Sequence, residues 1–135
     1  MTALRFLALG CFCLSTSLQA GTLGDEMRID VNKISDTEFE VLDWNQSSPH
    51  AFWCGAANYI EVRTGQSELT TIYLKSPPGP SVTKAGKKGV VFSTSAAGLP
   101  EGTGGLDVGV DQPGQSLKSF QARGFCRDAF NRSTK

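Results

Sequence analysis

The sequence has little of the chemistry that metal proteins and most hydrolases use. It contains a single histidine, His50, which stands four residues before Cys54; this spacing suits a metal pair or a Cys-His nucleophile, but the sequence offers no second histidine and no cysteine cluster to complete a metal site. A zinc site takes three or four histidine, cysteine or carboxylate ligands, and no Gly-x-Ser-x-Gly nucleophile elbow occurs. The Ser81-x-x-Lys84 match to penicillin-binding enzymes lacks the two further motifs of that class, and we interpret it as chance. We therefore expect no metal, no cofactor and no catalytic residue.

Long hydrophobic runs are also missing. The apolar run at residues 6–14 has nine residues, whereas a membrane-spanning helix needs about 20. It follows Arg5 and precedes a polar stretch that ends at Ala20, a layout typical of a signal peptide. We expect cleavage after Ala20 and a single periplasmic or secreted domain over residues 21–135, without a transmembrane segment. The alternative is a lipoprotein signal in which Cys11 carries the lipid.

Neither sign of charge is in excess. The chain has 13 lysines and arginines against 13 aspartates and glutamates, a balance that does not indicate a nucleic-acid partner. The distribution is uneven, because residues 21–48 hold seven acids and two bases while residues 49–135 hold ten bases and six acids. We interpret this as a solvated acidic strand face that packs near a basic face. An anionic partner is the alternative.

Two cysteines remain if the signal is removed. Exported chains meet an oxidising compartment, where an even number of cysteines usually pairs, so we predict a Cys54–Cys126 disulfide over two free thiols. The stretch around Cys54 matches the Trp-Cys-Gly of thioredoxin-like enzymes, but Ala57 stands where those enzymes carry the second cysteine that resolves the mixed disulfide. A thiol redox protein that uses Cys54 remains an alternative function. We interpret His50 as a surface residue in the first turn of a helix.

Hydrophobic periodicity predicts the elements. Alternating apolar residues in 28–34 and 37–44 predict strands. Ser48 and Pro49 predict the start of a helix over residues 49–63, with Gly65 as its stop. Further strands are predicted at 67–76 and 90–95, strict alternation occurs at 106–110, and a short extended piece precedes a helix over 119–129. The sequence therefore predicts an α+β fold: a mainly antiparallel sheet of about four to five strands with two helices and one disulfide.

The segment at residues 76–89 is rich in proline, glycine and lysine and predicts a loop. It contains Lys84, Lys87 and Lys88 in a window of five residues, and we expect all three side chains to be exposed. One alternative function is an inhibitor-like module that inserts this 76–89 loop into the cleft of an enzyme.

Four segments together carry a family resemblance. They are the Trp-Cys-Gly-Ala helix and the stretches TTIYLKSPPGPSVT, GKKGVVFST and GQSLKSFQARGFCRDAF. In these the chain resembles a family of small exported proteins of proteobacteria. The resemblance implies an envelope location and a disulfide between Cys54 and Cys126, and it implies no activity. The function expected from all these observations is a binding or accessory role for a non-enzymatic envelope domain, with an unknown protein or an anionic ligand as its partner.

Overall fold

The computed structural model describes residues 29–102 and 108–127. Five strands form one antiparallel sheet in the order β1-β2-β4-β3-β5. The predicted α+β class, with a mainly antiparallel sheet and two helices, is confirmed. The strands are β1 (Val31–Lys33), β2 (Glu38–Leu42), β3 (Thr71–Pro80), β4 (Lys88–Ser93) and β5 (Ser116–Lys118), and the helices are α1 (Pro49–Asn58) and α2 (Ser119–Gly124).

The two faces of the sheet differ because side chains alternate along each strand. In β2, Phe39 and Val41 join the hydrophobic core, together with Val90 and Phe92 of β4. Residues between them point to the opposite face, which we call the outer face. By register, the outer face carries Asn32, Glu40 and Val91 as one row and Leu42 and Gly89 as the next.

Helix α1 begins as the sequence predicts. The Ser48 side chain accepts a hydrogen bond from the backbone N–H of Ala51, and Pro49 occupies the first turn. The helix buries a continuous stretch from Ala51 to Ala57. It continues into a π-helical turn (Tyr59–Arg63) rather than staying α-helical to residue 63, and Gly65 follows with a positive φ of 67°. A π-turn at this place rotates the last residues, and Arg63 Nη1 there donates to the Val31 carbonyl oxygen at 2.8 Å.

Strand β3 has the predicted length of ten residues but lies four positions further along the chain, because residues 67–70, predicted as its start, form a turn instead. Residues 76–80, predicted as part of a loop, continue the strand to Pro80, so the prediction was wrong for this segment. The strand tolerates its prolines because β5 pairs only with residues 71–73, which leaves one side of the later residues without a ladder partner. The register also shifts twice, between Leu74 and Ser76 and between Ser76 and Gly79. Bulges are among the places where a sheet accepts proline.

The C-terminal part follows the prediction in outline. Strand β5 is the predicted short extended piece, and α2 begins at Ser119. It ends at Gly124, and after a turn at Phe125 the chain is helical again at Cys126 and Arg127; the predicted helix end at 129 lies outside the described part. Of the alternating stretch 106–110, Leu106 also lies outside it. Val108 and Val110 do not form a strand, but Val110 is buried in the core and Val108 packs against it.

The predicted disulfide is present. Cys54 and Cys126 are joined with a Cα–Cα distance of 4.9 Å, which ties the chain just after α2 to the middle of α1. Cys54 is fully buried, whereas Cys126 is partly exposed. Among the described residues, no helix has both the length and the apolar composition needed to cross a bilayer.

Candidate functional site

Glu40 is a buried carboxylate on the outer face of the sheet. Its neighbours Phe39 and Val41 point into the core, so its own side chain must leave the strand on the other side. Yet Glu40 is only 1% exposed. A carboxylate in such a place is costly unless hydrogen bonds compensate it. The loop between β3 and β4 supplies those bonds.

Four donors of one short segment converge on this carboxylate. Ser81 Oγ donates to Oε2 at 2.7 Å, the backbone N–H of Val82 to Oε1 at 2.9 Å, and the backbone N–H of Thr83 to Oε2 at 3.0 Å. The Thr83 hydroxyl also donates to Oε2. Charge-assisted hydrogen bonds of this kind are about twice as strong as neutral ones. Glu40 therefore fixes the backbone of residues 81–83 against the outer face.

These hydrogen bonds also set the pKa of Glu40. Burial by itself would raise the pKa of the carboxyl, because it penalises the charged form. The hydroxyls of Thr83 and Ser81 and the backbone N–H groups of Val82 and Thr83 act in the opposite direction and outweigh it. The pKa of Glu40 is lowered below the ordinary 4.5, so the carboxylate stays charged at neutral pH.

A glycine makes room for the carboxylate. Gly89 pairs with Leu42 on the outer face, and a Cβ built on it would lie 2.6 Å from Oε1 of Glu40. Any larger residue would therefore displace the carboxylate. Gly79 pairs with Gly89 across β3 and β4, but a Cβ at Gly79 would meet nothing closer than 3.8 Å. The requirement for glycine belongs to position 89.

The loop also closes on itself. We call residues 81–88 the basic loop; it includes the first residue of β4. The backbone N–H of Ser81 donates to the Lys87 carbonyl oxygen at 2.8 Å, and Ser81 Oγ accepts from the backbone N–H of Lys84 at 2.9 Å. Asn32 Nδ2 donates to the Thr83 hydroxyl at 2.9 Å, which connects the loop to β1. Ser81 Oγ thus bonds with Glu40 and with the backbone of Lys84. These contacts give the Ser81-x-x-Lys84 pattern a structural explanation.

Four side chains of the basic loop point into solvent. Val82 is 68% exposed, and Lys84, Lys87 and Lys88 are all exposed, as the sequence predicts. Within the described part of the chain, the three ammonium groups have neither a hydrogen bond nor an ion pair. The basic loop thus combines a fixed backbone with an exposed apolar side chain and three unpaired positive charges.

The disulfide region has a different character. Cys54 Sγ is buried in the core and bonded to Cys126, and Asn58 Nδ2 lies 3.9 Å from the sulfur. The His50 ring stacks on the Phe125 ring, with the centroids 4.7 Å apart and the planes nearly parallel. His50 lies in the first turn of α1, as predicted, but it is partly buried against Phe125, the residue that follows α2. Among residues 29–102 and 108–127, no group of three or more metal-ligating side chains comes together.

A second surface feature lies at the other end of the sheet. A cleft of about 440 Å³ is lined by Glu38 and Tyr59 together with Arg63. Its charged groups have partners: Glu38 pairs with Lys75, and the Arg63 guanidinium, besides its bond to Val31, lies 5.5 Å from the centre of the Tyr59 ring. These contacts explain the charged residues as structural, so we place the candidate site at the basic loop.

Sequence reasoning missed the role of Glu40. It counted Glu40 among the acids of a solvated strand face, whereas the structure buries this side chain under the basic loop. The alternation of Phe39 and Val41 does place Glu40 on the outer face. No local signal, however, indicates that a loop 41 residues further along folds back over it.

Comparisons with known proteins do not add to this geometry. No family model, no curated protein and no solved structure matches the chain. The resemblance to small exported proteins of proteobacteria therefore stays a prediction.

Proposed function

We propose that this protein is a small exported, non-enzymatic binding domain that recognises an anionic partner through the basic loop. The observation that carries the proposal is the set of hydrogen bonds from residues 81–83 to Glu40. A loop that is ordered before binding loses less conformational entropy when its partner arrives. The chain orders this backbone with a buried charge, while Lys84 and Lys87 stay unpaired.

Export is part of the proposal and rests on two observations. The first 20 residues have the layout of a signal peptide. The disulfide between Cys54 and Cys126 is of the kind that persists in oxidising compartments such as the periplasm or the extracellular space. We propose a bacterial envelope location on this basis, and N-terminal mass analysis of the exported protein tests it. A protein recovered with Met1, or with a lipid on Cys11, would contradict cleavage after Ala20.

Two variants with the same loss of charge test the binding role. The loop variant, Lys84→Gln/Lys87→Gln, removes two charges from the basic loop. The control variant, Lys33→Gln/Lys118→Gln, removes two exposed charges from the opposite end of the sheet, where β1 ends and β5 pairs with the start of β3. Each protein is immobilised and exposed to an unfractionated envelope extract that holds soluble proteins, polymers and membrane fragments.

We expect the wild type and the control variant to retain the same material and the loop variant to lose it. Melting temperatures should agree within about 2 °C, because the two loop lysines have no partners and the contacts of the control lysines, Lys33 with Asp36 and Lys118 with Thr71, are exposed and contribute little to stability. Equal retention by the loop variant would refute the proposed function. Lower retention together with a large fall in melting temperature would show that the lysines are structural, and it would refute the proposal in the same way.

An inhibitor-like module is the second candidate, favoured by the same loop. Val82 projects from a backbone fixed on both sides, a shape that fits a concave partner. The inserted segment would be residues 81–88, because residues 76–80 belong to β3. Loop-dependent inhibition of a purified envelope protease would favour this candidate. The thiol redox alternative is weaker, because Cys54 is fully buried and its sulfur is bonded to Cys126.

A further inference from the structure

A second exposed segment lies directly beside the basic loop. The backbone N–H of Asp43, the residue after β2, donates to the Lys88 carbonyl oxygen at 2.8 Å. Trp44 follows and is 56% exposed. The register confirms that this end of β2 and the basic loop share one end of the sheet, since Leu42 pairs with Gly89.

The turn that carries Trp44 is held in place. The backbone N–H of Trp44 donates to Ser47 Oγ at 2.9 Å, and the backbone N–H of Ser47 donates to Asp43 Oδ1 at 2.7 Å. Asn45 and Gln46 both have positive φ, 54° and 63°, a conformation uncommon for residues other than glycine. The fold therefore keeps an exposed tryptophan in a tight turn rather than covering it.

The two segments combine the side chains that suit a membrane interface. Tryptophan has an apolar ring with a polar N–H and favours the boundary between headgroups and hydrocarbon. Lysine can extend its charged end to lipid phosphates while its stem remains near apolar groups. At this end of the sheet Trp44 and Val82 are exposed beside Lys84, Lys87 and Lys88.

We propose that the basic loop and the Trp44 turn form one surface that binds reversibly to an anionic phospholipid membrane. Trp44 and Val82 enter the headgroup region, and the three lysines contact lipid phosphates. This inference rests on the proposed function, since it names the anionic partner of the basic loop. A bilayer suits this surface better than an acidic peptide does, because it offers an apolar environment to the exposed Trp44 and Val82 side chains as well as phosphates to the three lysines.

The charges of this surface set the expected affinity for an anionic bilayer. Each lysine near an anionic bilayer raises affinity about five-fold. Asp30 is an exposed acid at the same end of the sheet, because its carbonyl oxygen accepts from the backbone N–H of Leu42. Asp30 opposes the lysines, so Asp30→Asn should strengthen binding.

Vesicle binding tests the inference with exported protein whose N-terminus has been determined by mass analysis. The probes are vesicles of phosphatidylcholine alone and vesicles with about one third phosphatidylglycerol, a content chosen to give a clear surface potential. Binding is measured by co-sedimentation and by tryptophan emission. Trp53 is fully buried and Trp44 is exposed, so a blue shift on binding reports on Trp44.

We expect the wild type to bind only the anionic vesicles, with a blue shift and a strong salt dependence. The loop variant should bind about 25-fold more weakly, two lysines at about five-fold each, and the control variant less than about three-fold more weakly. Trp44→Phe should abolish the blue shift while most co-sedimentation remains.

Several outcomes would overturn the inference: no binding to anionic vesicles, equal binding by the loop and control variants, or binding without a shift in emission. Failure here can be told apart from failure of the proposed function. If vesicles are not bound but loop-dependent retention of a soluble envelope component persists, only the membrane inference falls. If the loop variant changes neither measurement, both fall.

Discussion

The backbone N–H of Val82 donates to Glu40 Oε1 at 2.9 Å, which links a residue that is 68% exposed to a carboxylate that is 1% exposed. A loop tip that projects into solvent is usually mobile, because its backbone polar groups can bond with water. Here the backbone of the tip bonds with a buried charge. The order of the basic loop depends on this hydrogen bond.

Replacing the Glu40 carboxylate tests whether it holds the basic loop. In Glu40→Gln, the side-chain NH₂ group would face the N–H and O–H donors of residues 81–83, and the charge-assisted bonds would be lost. We expect a loss of about 2–3 kcal/mol in the free energy of unfolding, measured by denaturant melts. Glu38→Gln is the matched control on the same strand and face. Its ion pair with Lys75 is partly exposed, so the cost should stay below about 1 kcal/mol. Equal costs for the two variants would contradict the role of Glu40.

The lowered pKa of Glu40 predicts how this stabilisation depends on pH. A carboxyl whose pKa is lower in the folded state stabilises the fold fully above its unfolded value of 4.5, and this contribution is lost as pH falls through the folded pKa. The difference in unfolding free energy between the wild type and Glu40→Gln should therefore be constant from about pH 7 to pH 5.5 and shrink below 4.5. A difference that grows on acidification would have the wrong sign.

Gly89 and Gly79 offer a test of the space around the carboxylate. They pair with each other, but only Gly89→Ala would place a Cβ against the Glu40 side chain. We expect Gly89→Ala to cost about 1–3 kcal/mol through overpacking and to release the basic loop to limited proteolysis. Gly79→Ala should leave cleavage of the loop unchanged. If both variants are cleaved alike, the contact between Gly89 and Glu40 does not hold the loop.

We expect the Cys54–Cys126 disulfide to stabilise the fold and to have no thiol redox activity. Cys54 and Cys126 are 72 positions apart, and closing a loop of that length corresponds to about 4 kcal/mol in the chain-entropy model. Cys54→Ala, Cys126→Ala and the double variant should lose similar stability, since each removes the same bond. Denaturant melts with and without reductant check this. A wild-type midpoint that reductant does not move would return Cys54 to consideration as a reactive thiol.

The sequence predicted those parts of the fold that depend on local pattern. The alternation around Phe39 and Val41, the Ser48 cap and the cysteine pair each lead directly to what the structure has. It failed at residues 76–80, where proline and glycine indicate a loop. The structure accepts them in β3 because β5 does not extend that far.

The candidate site was only half predictable. Three lysines close together in a loop indicate an exposed basic segment, and this is what the structure has. The hydrogen bonds between Glu40 and residues 81–83 were not predictable. They join positions more than 40 residues apart, because the loop folds back over the outer face. Contacts of that kind depend on tertiary packing, and no periodicity in the sequence encodes them.

The most direct measurement is hydrogen exchange at the backbone amides of Val82 and Thr83, resolved by NMR. Both residues are exposed, so unbraced amides would exchange at rates close to those of a free peptide. We predict clear protection of these two amides in the wild type at neutral pH and its loss in Glu40→Gln, while the amides of Val90 and Phe92 in β4 stay protected in both. Free-peptide exchange at Val82 and Thr83 in the wild type would contradict the account, because the basic loop would then not be held by Glu40.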